Sequence, residues 1–246
     1  MKKVGIIGCG AIGTLLAEAV ETGIVKCDAL ILYDYNGEKA EKLQKSLAVP
    51  TKIVRNVGEM IKLKPHVIVE AASQQAAKEY ANRISAQNID LIVMSVGALL
   101  DLNVKDGRIH VPSGAIGGLD AIGSVALAGI DEIVLISRKN PKALGLDGTH
   151  EKLVYEGNAQ EAVRLFPREM NVAATLALTV SPQEVKVRVI SDPKADRNIH
   201  EIKVKWKHGD MFLKFENDPH PENLGTSALA AWSAIKLLKE LLEKEA

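Results

Sequence analysis

Three glycines near the start of the chain, in the hexapeptide Gly8-Cys9-Gly10-Ala11-Ile12-Gly13, have the spacing of a loop that binds a diphosphate. The apolar run before them predicts a buried parallel strand, and residues 11–22 carry apolar side chains at helical spacing. The first glycine would permit a tight turn, the second a close approach of pyrophosphate, and the third close helix–strand packing. Free N–H groups at the helix start favour phosphate. In this context the motif predicts a dinucleotide site.

An acidic residue follows at the position where such a site binds ribose. Asp34 ends the second apolar run, 21 residues after Gly13. A carboxylate there accepts hydrogen bonds from the adenosine ribose hydroxyls and repels a 2′-phosphate. Because residues 35–37 include no Arg or Lys, the sequence favours NAD, with NADP as an open alternative. A glycine turn that binds another nucleotide, or none, is the competing interpretation.

Small residues follow two further predicted strands, where ligands of open parallel sheets bind. They are Ala71 and Ala72 after one strand, and Ser95 and Gly97 after another. A second glycine-rich stretch, 113–118, contains Ala115 and is either a nicotinamide site or a plain hinge.

One histidine has the position expected of a catalytic proton acceptor. His200 is in register with Ile202, Val204 and Trp206, so it is predicted to face the covered side of a sheet. An ordinary histidine pKa of about 6.5 allows proton exchange near neutrality. A buried histidine that only hydrogen-bonds to backbone is the alternative. Asn171 starts a predicted helix and is either its N-cap or a partner of the cofactor carboxamide.

These residues require two kinds of element to position them. Strands and helices alternate over residues 1–120, which predicts a doubly wound parallel sheet of the Rossmann type. Residues 121–225 instead show period-two strands at 185–189, 201–206 and 211–215, which predict a smaller α+β domain with a mixed or antiparallel sheet. Residues 226–246 predict a final amphipathic helix. The fold class is therefore α/β with a second α+β domain.

Composition narrows the possible partners and compartments. The 246 residues contain 31 Lys plus Arg and 31 Asp plus Glu, so nothing favours nucleic acid or an anionic membrane. The two cysteines, Cys9 and Cys27, predict neither a disulfide framework nor a metal site. The apolar tract 111–130 is broken by Asp120 and by glycines, so we expect buried protein there. A cytoplasmic protein without a signal peptide is expected.

Several segments together resemble the L-aspartate dehydrogenase family over nearly the full length. Besides the glycine loop they are Pro112-Ser113-Gly114-Ala115-Ile116-Gly117-Gly118-Leu119-Asp120, the run from Phe166 to Thr175 containing Asn171-Val172-Ala173-Ala174, and Asn198-Ile199-His200-Glu201-Ile202. The block that begins at Pro112 and the run that contains Asn171 are far more specific than the glycine loop. The family's usual Asn-Pro-Lys-Thr-Ser stretch reads Asn223-Leu224-Gly225-Thr226-Ser227 here, which makes that correspondence less secure.

The resemblance implies oxidation of L-aspartate with NAD(P) to iminoaspartate, or to oxaloacetate and ammonia after hydrolysis. It further implies a supply of iminoaspartate for NAD biosynthesis, a homodimer, and a last helix that packs back on the Rossmann domain. By position, His200 would be the active-site histidine, Asn171 and Ala115 would contact the cofactor, and Thr226 and Ser227 would line the substrate site. Ser113, Arg138 and Lys139 are further candidates for binding the substrate carboxylates.

Two other classes of protein fit the same pattern. One is another Rossmann oxidoreductase, such as a dihydrodipicolinate reductase or a homoserine dehydrogenase. The other is a non-catalytic protein that senses NAD, although the sequence shows no basic recognition helix or basic tail. Because a fold does not determine a function, the predicted substrate rests mainly on the resemblance.

Overall fold

A computed structural model describes residues 1–102, 107–220 and 223–244. The chain divides into two compact units. The first contains Met1–Pro112 and Ala231–Ala246, and the second contains Ser113–Ala230.

The first unit has the predicted Rossmann architecture. Within its described residues, six parallel strands form one sheet in the order β3-β2-β1-β4-β5-β6. This is the strand order of dinucleotide-binding domains, in which successive strands extend the sheet first to one side of β1 and then, from β4 onward, to the other side. The strands are β1 (Lys3–Ile7), β2 (Ala29–Tyr33), β3 (Thr51–Ile53), β4 (Val67–Glu70), β5 (Asp90–Val93) and β6 (Ile109–His110).

Apolar residues and helix caps explain why these elements form. The central strands are buried along almost their whole length, as expected for a parallel sheet covered on both faces. Asn36, Asn56 and Ser73 each accept a backbone N–H of the first helical turn, so each fixes a helix start. The helices between the strands are α1 (Ala11–Glu21), α2 (Gly37–Lys45), α3 (Val57–Lys62) and α4 (Gln74–Ser85).

The second unit contains the predicted mixed sheet. Its strand order is β11-β10-β7-β9-β8, and β7 and β9 are parallel whereas the other neighbours are antiparallel. Residues Ile133, Leu135, Ile202 and Val204 are buried on one face, which confirms the period-two pattern. The strands are β7 (Ile130–Lys139), β8 (Lys152–Asn158), β9 (Lys186–Ser191), β10 (Asn198–Trp206) and β11 (Gly209–Asn217).

Helices cover the buried face of this sheet. Helix α5 contacts β10, α6 contacts β8 and β9, and both pack on α7. A short antiparallel pair then precedes the last helix, α8, which belongs to the first unit from Ala231 onward. These elements are α5 (Leu119–Ala128), α6 (Ala159–Leu165), α7 (Asn171–Val180), β12 (Pro219–His220), β13 (Asn223–Ser227) and α8 (Ala228–Lys244).

The structure corrects several element boundaries. Strand β8 was not predicted, and the apolar tract 111–130 contains α5. Thr226 and Ser227 belong to β13, so the last helix starts at Ala228 instead of at 226. Residues 245 and 246 of the predicted helix lie outside the described residues.

The division between the units also falls earlier than expected, at Ser113 instead of after residue 120. The glycine-rich block 113–118 packs against β11. A Cβ on Gly117 would lie 3.5 Å from the Phe215 ring, and one on Gly118 would lie 2.4 Å from Leu213. The side-chain amide of Asn217 donates to the carbonyl of Ala115 at 3.3 Å. These contacts place the block in the second unit.

No helix in the described part of the chain is both long enough and apolar enough to cross a membrane. The same residues include no group of three or more His, Cys, Asp or Glu side chains arranged to hold a metal ion.

Candidate active site

The glycine loop between β1 and α1 depends on each glycine for a different reason. Gly8 has φ +96°, and a Cβ there would lie 2.7 Å from the Ala71 carbonyl oxygen. A Cβ on Gly13 would lie 1.9 Å from the Gly8 carbonyl oxygen, so α1 approaches the loop as closely as backbone allows. Around Gly10, in contrast, a Cβ would meet nothing within 4 Å. The open space at Gly10 is where a diphosphate would approach the start of α1.

Asp34 is held in place beside this loop. Its Oδ2 accepts the Cys9 N–H at 2.7 Å and its Oδ1 accepts the Asn36 N–H at 2.8 Å. Each carboxylate oxygen keeps a further lone pair, so the group can still accept hydrogen bonds from a ribose. Burial, and then the Asp34 charge, raise the pKa of the Cys9 thiol to about 12. Cys9 is therefore an inert thiol that fills the turn.

The loop and Asp34 border a groove of about 750 Å³ in the first unit. Predicted residues Gly8, Gly10, Asp34, Ala71 and Ala72 all line it, together with Tyr33, Tyr35, Lys39, Ser73, Gln75, Ala76, Glu79 and Tyr80. Ala11, Ile12 and Gly13 form the first turn of α1 next to it. The groove has the glycine floor, the helix start and the fixed carboxylate that NAD(P) requires.

Lys39 also lines this groove, although it was not among the predicted site residues. Residues 35–37 include no Arg or Lys, whereas the first turn of α2 brings Lys39 to the same groove as Asp34. Its positive charge lowers the pKa of the Cys9 thiol, which indicates that it lies close to the glycine loop. No carboxylate of the described residues lies within ion-pair distance of Lys39. Among the described residues, a cation without an ion-pair partner therefore borders the groove that Asp34 also lines.

A buried carboxylate, that of Glu70, fixes the backbone of Ala72 and Ser73, which line the groove. Glu70 is 1% exposed and accepts the N–H groups of Ala72 at 2.8 Å, Ser73 at 2.9 Å and Ser95 at 3.1 Å. Ser95 Oγ donates to the same carboxyl at 3.0 Å. Burial raises the pKa of Glu70 above its ordinary value, while these hydrogen bonds oppose the rise. Both the backbone N–H and the hydroxyl of Ser95 are therefore hydrogen-bonded to Glu70. Gly97 is buried in the 3-10 turn after β5, and neither residue lines the groove.

His200, in the second unit, faces the covered side of the sheet as predicted and is 1% exposed. It pairs with Ser137 across β10 and β7, and its Nδ1 lies 3.1 Å from Ser137 Oγ. Burial, and then the charge of Lys139, lower the pKa of His200 to about 3. The expectation of an ordinary pKa was therefore wrong, because a covered sheet face removes the water that would solvate an imidazolium. His200 is neutral at physiological pH.

Lys139 lies on the same covered face, two residues after Ser137. Lys139 and Arg138 were both candidates for binding the substrate carboxylates, but their side chains point to opposite faces of β7. Arg138 is ion-paired with Glu151 at 2.7 Å and Asp192 at 2.8 Å. Lys139 is 1% exposed, and burial lowers its pKa to about 8.

The buried side-chain amide of Asn198 connects the residues around His200 to β13, the strand before the last helix. Asn198 Nδ2 donates to the Leu224 carbonyl at 3.0 Å and lies 3.4 Å from Ser227 Oγ. Ser227 is 3% exposed whereas Thr226 is partly exposed. Because adjacent residues of a strand point to opposite faces, Ser227 and Thr226 do not line the same pocket. Ser227 belongs to the cluster with His200, Lys139, Asn198 and Ser137.

The remaining predicted residues of the second unit lie elsewhere in it. Ala115 is buried, with its carbonyl bonded to Asn217, and Ser113 is partly exposed. Asn171 is the first residue of α7 and the N-cap is Met170, so the N-cap interpretation of Asn171 was wrong by one residue. The Asn171 side chain contacts the Arg168 carbonyl at 3.5 Å.

Comparisons with known proteins match both units of the chain. A family model described as "Aspartate dehydrogenase, C-terminal" matches residues 120–241, and one described as "Homoserine dehydrogenase, NAD binding domain" matches residues 8–107. An L-aspartate dehydrogenase of Methanothermobacter thermautotrophicus is 40% identical over 99% of this chain and 97% of its own length. The chain belongs to the L-aspartate dehydrogenase family.

Two further relatives agree with this assignment. An L-aspartate dehydrogenase of Archaeoglobus fulgidus is 42% identical over 98% of each chain. The crystal structure of an aspartate dehydrogenase from Thermotoga maritima superimposes with a TM-score of 0.75 at 29% identity, and the match covers 98% of this chain and 97% of that one. The predicted family and fold are confirmed. As a member of this family the protein is an oxidoreductase with an NAD(P)-binding domain.

Several members of the cluster around His200 were not predicted from the sequence of this L-aspartate dehydrogenase family member. Ser137, Asn198 and the burial of Lys139 were not foreseen, although the alternation along β7 and β10 carried part of the signal. Residues 198, 200, 202 and 204 alternate on one strand, so Asn198 could have been placed beside His200. The period of β7 was hidden, because both of its faces carry apolar residues.

Proposed function

We propose that this enzyme oxidises L-aspartate with NAD(P), giving iminoaspartate, NAD(P)H and a proton. Hydrolysis of the imine then gives oxaloacetate and ammonia. The observation that carries the proposal is the neutral His200, buried with Lys139 and Ser227 in a unit that matches the aspartate dehydrogenase family model. Aspartate has two carboxylates and an amine, so its site needs a cation, hydroxyl or amide donors, and a proton acceptor.

We assign the cofactor to the groove of the first unit. Gly8, Gly10 and the first turn of α1, which contains Ala11, Ile12 and Gly13, would hold the diphosphate, and Asp34 would bind the adenosine ribose. Ala71 and Ala72 line the same groove, and we assign to Ala115 and Asn171 contacts with the nicotinamide side. Ser95 and Gly97 act indirectly, through the buried Glu70 network and the turn after β5. When bound, the nicotinamide supplies the acceptor for the hydride that leaves the substrate Cα.

His200 is the proton acceptor in this proposal. When its Nδ1–H donates to Ser137 Oγ, its Nε2 carries the free lone pair. That atom would remove a proton from the water that attacks the imine carbon. A base of such low pKa is weak in the free protein, and an anionic substrate next to it favours the protonated form. Ser227 is assigned to the substrate because it lies in the cluster, and Ser113 is a further candidate; Thr226 is not assigned, because its side chain faces the other side of β13.

The test is a spectrophotometric assay for NADH formation with L-aspartate and NAD, repeated with NADP, homoserine and tetrahydrodipicolinate. We expect turnover with aspartate. Turnover confined to another substrate would favour the competing oxidoreductase assignment, and binding of NADH without turnover of any substrate would favour a sensor. The aspartate dehydrogenase model over residues 120–241 supports the first outcome.

A histidine variant tests the assigned role. His200→Ala is expected to lower turnover by about 10²–10⁴-fold, the usual contribution of proton transfer, while NADH still binds. His208→Ala is the matched control, because His208 is exposed at the turn after the same strand. Near-normal turnover of His200→Ala would remove His200 from the mechanism.

We further propose a cytoplasmic homodimer that acts on a small molecule and supplies iminoaspartate for NAD biosynthesis. The free thiols of Cys9 and Cys27 are compatible with a reducing compartment. Two apolar side chains of the second sheet are exposed, Leu153 to 48% and Phe212 to 60%, and could be buried in a contact between subunits. Equal numbers of acidic and basic residues give no reason to expect nucleic acid or a membrane as partner. Light scattering of the purified protein tests the dimer.

A further inference from the structure

Lys139 is the only fully buried lysine or arginine in the part of the chain that the structure describes. Its Nζ donates to the Gly225 carbonyl at 2.9 Å and lies 3.5 Å from the Glu169 carbonyl. The second distance is too long for a good hydrogen bond. An ammonium has three N–H donors, and no described carboxylate lies within ion-pair distance of this one.

A buried ammonium without a close counter-ion is unfavourable, because burial removes its hydration. The charge of the Glu169 carboxylate, which lies beyond ion-pair distance, opposes this effect but does not cancel it. Structural buried charges are normally paired, so an unpaired one is suited to an anion that arrives from solution. Polar groups that could complete such a site surround it. Ser137 and His200 share the covered face of the sheet with Lys139. Ser227 lies 3.4 Å from Asn198, two residues after Gly225, whose carbonyl accepts the hydrogen bond from Lys139. Gly225 and Thr226 are partly exposed, so this segment lies at the surface.

The neighbouring cation does not compete for this role. Arg138 points to the opposite face of β7 and already has two carboxylate partners, Glu151 and Asp192. Other basic side chains of the sheet, such as Lys186, Arg188 and Lys203, lie on the exposed face.

We propose that the Lys139 ammonium binds a carboxylate of the substrate, which takes the place of the long contact to Glu169. The identity of the substrate rests on the proposed function, whereas the location of the anion site rests on the burial and contacts of Lys139. One consequence concerns His200. The charge of Lys139 lowers the pKa of His200, so a bound carboxylate that neutralises this charge makes His200 a better proton acceptor only when substrate is present.

Succinate, a dicarboxylate without an amine to oxidise, is the probe for this site. Its dissociation constant is measured by calorimetry with NADH present, and the KM for L-aspartate is measured alongside. In Lys139→Met both constants are expected to rise about 100-fold or more, because one partner of a buried ion pair is lost. The NADH dissociation constant should stay within about threefold, since the glycine groove lies in the other unit. Arg138→Met is the matched control and should change succinate binding by less than about threefold.

Unchanged succinate affinity and aspartate KM in Lys139→Met would overturn the proposal. If the wild-type protein binds succinate through Lys139 but does not oxidise aspartate, the proposed function fails while the anion site stands. If aspartate is oxidised and Lys139→Met behaves like the control, only the anion site fails.

A measurement on the wild-type protein covers the case in which Lys139→Met does not fold. The pKa of Lys139 is about 8, so at that pH a bound carboxylate should draw a proton onto the amine. Calorimetry in two buffers of different ionisation enthalpy should then show uptake of up to about half a proton per succinate. The titratable groups near Lys139 are His200 on β10, Glu169 before α7 and Asp192 after β9. The variant His200→Gln removes any proton uptake by the histidine. Absence of proton uptake in His200→Gln, whether or not the wild type shows it, would contradict the proposal.

Discussion

Gly10 and Gly13 lie in the same loop, yet alanine should affect them in opposite ways. Gly10 has φ −89° and ψ −158°, which alanine adopts readily, and its Cβ would meet nothing within 4 Å. The unfolded chain loses entropy on substitution, worth about 0.4–1 kcal/mol, and the poorer N-cap costs a similar amount. The free energy of unfolding of Gly10→Ala should therefore stay within about 1 kcal/mol of the wild type.

The same methyl group would occupy the space through which a diphosphate reaches the start of α1. One or two charge-assisted hydrogen bonds should be lost, each worth about 1.5–3 kcal/mol. We therefore expect Gly10→Ala to bind NADH about 100-fold more weakly, as measured by NADH fluorescence titration.

Gly13→Ala is the contrasting variant. Its Cβ would lie 1.9 Å from the Gly8 carbonyl oxygen, so backbone must move. Such overpacking should cost about 2–4 kcal/mol of stability and lower the Tm by roughly 5–15 °C. Circular dichroism during heating measures this for both variants. NADH binding by Gly10→Ala within threefold of the wild type would refute the assignment of the diphosphate to this loop. A loss of stability equal to that of Gly13→Ala would refute the inference that the space around Gly10 is open.

Two further predictions concern the groove and the buried histidine. Lys39→Gln should weaken binding of NADPH by about fivefold to tenfold and leave NADH unchanged, because a surface charge pair contributes about 1 kcal/mol; Lys42→Gln, outside the groove, is the control. Equal losses for the two cofactors would instead place Lys39 on the shared diphosphate. Folding lowers the pKa of His200 from 6.5 to about 3. Between these two values the unfolded chain binds a proton at His200 that the folded protein does not bind, so the free energy of unfolding decreases as the pH is lowered below about 6.5. His200 accounts for about 2 kcal/mol of that fall between pH 7 and pH 5, and urea unfolding of His200→Gln should show a correspondingly shallower fall, whereas a parallel fall would show that His200 is not buried neutral.

Local sequence signals determined the first unit almost completely. The glycine hexapeptide, the acid at Asp34 and the buried strands predicted the Rossmann sheet and most of its groove, because each signal acts within one turn or one strand–helix step. The period of two along β10 likewise predicted that His200 is buried.

Tertiary structure alone decided which residues surround His200. Ser137 is 63 residues away in the chain, and Lys139 reaches Gly225 across 86 residues. No local pattern reports such pairings, because they depend on which strands become neighbours and in which register. The same pairing decided that Lys139 is buried and Arg138 is not, since adjacent residues of a strand face opposite sides. It also set the low pKa of His200, which depends on the water and charge around the ring in the folded sheet and not on the residue type.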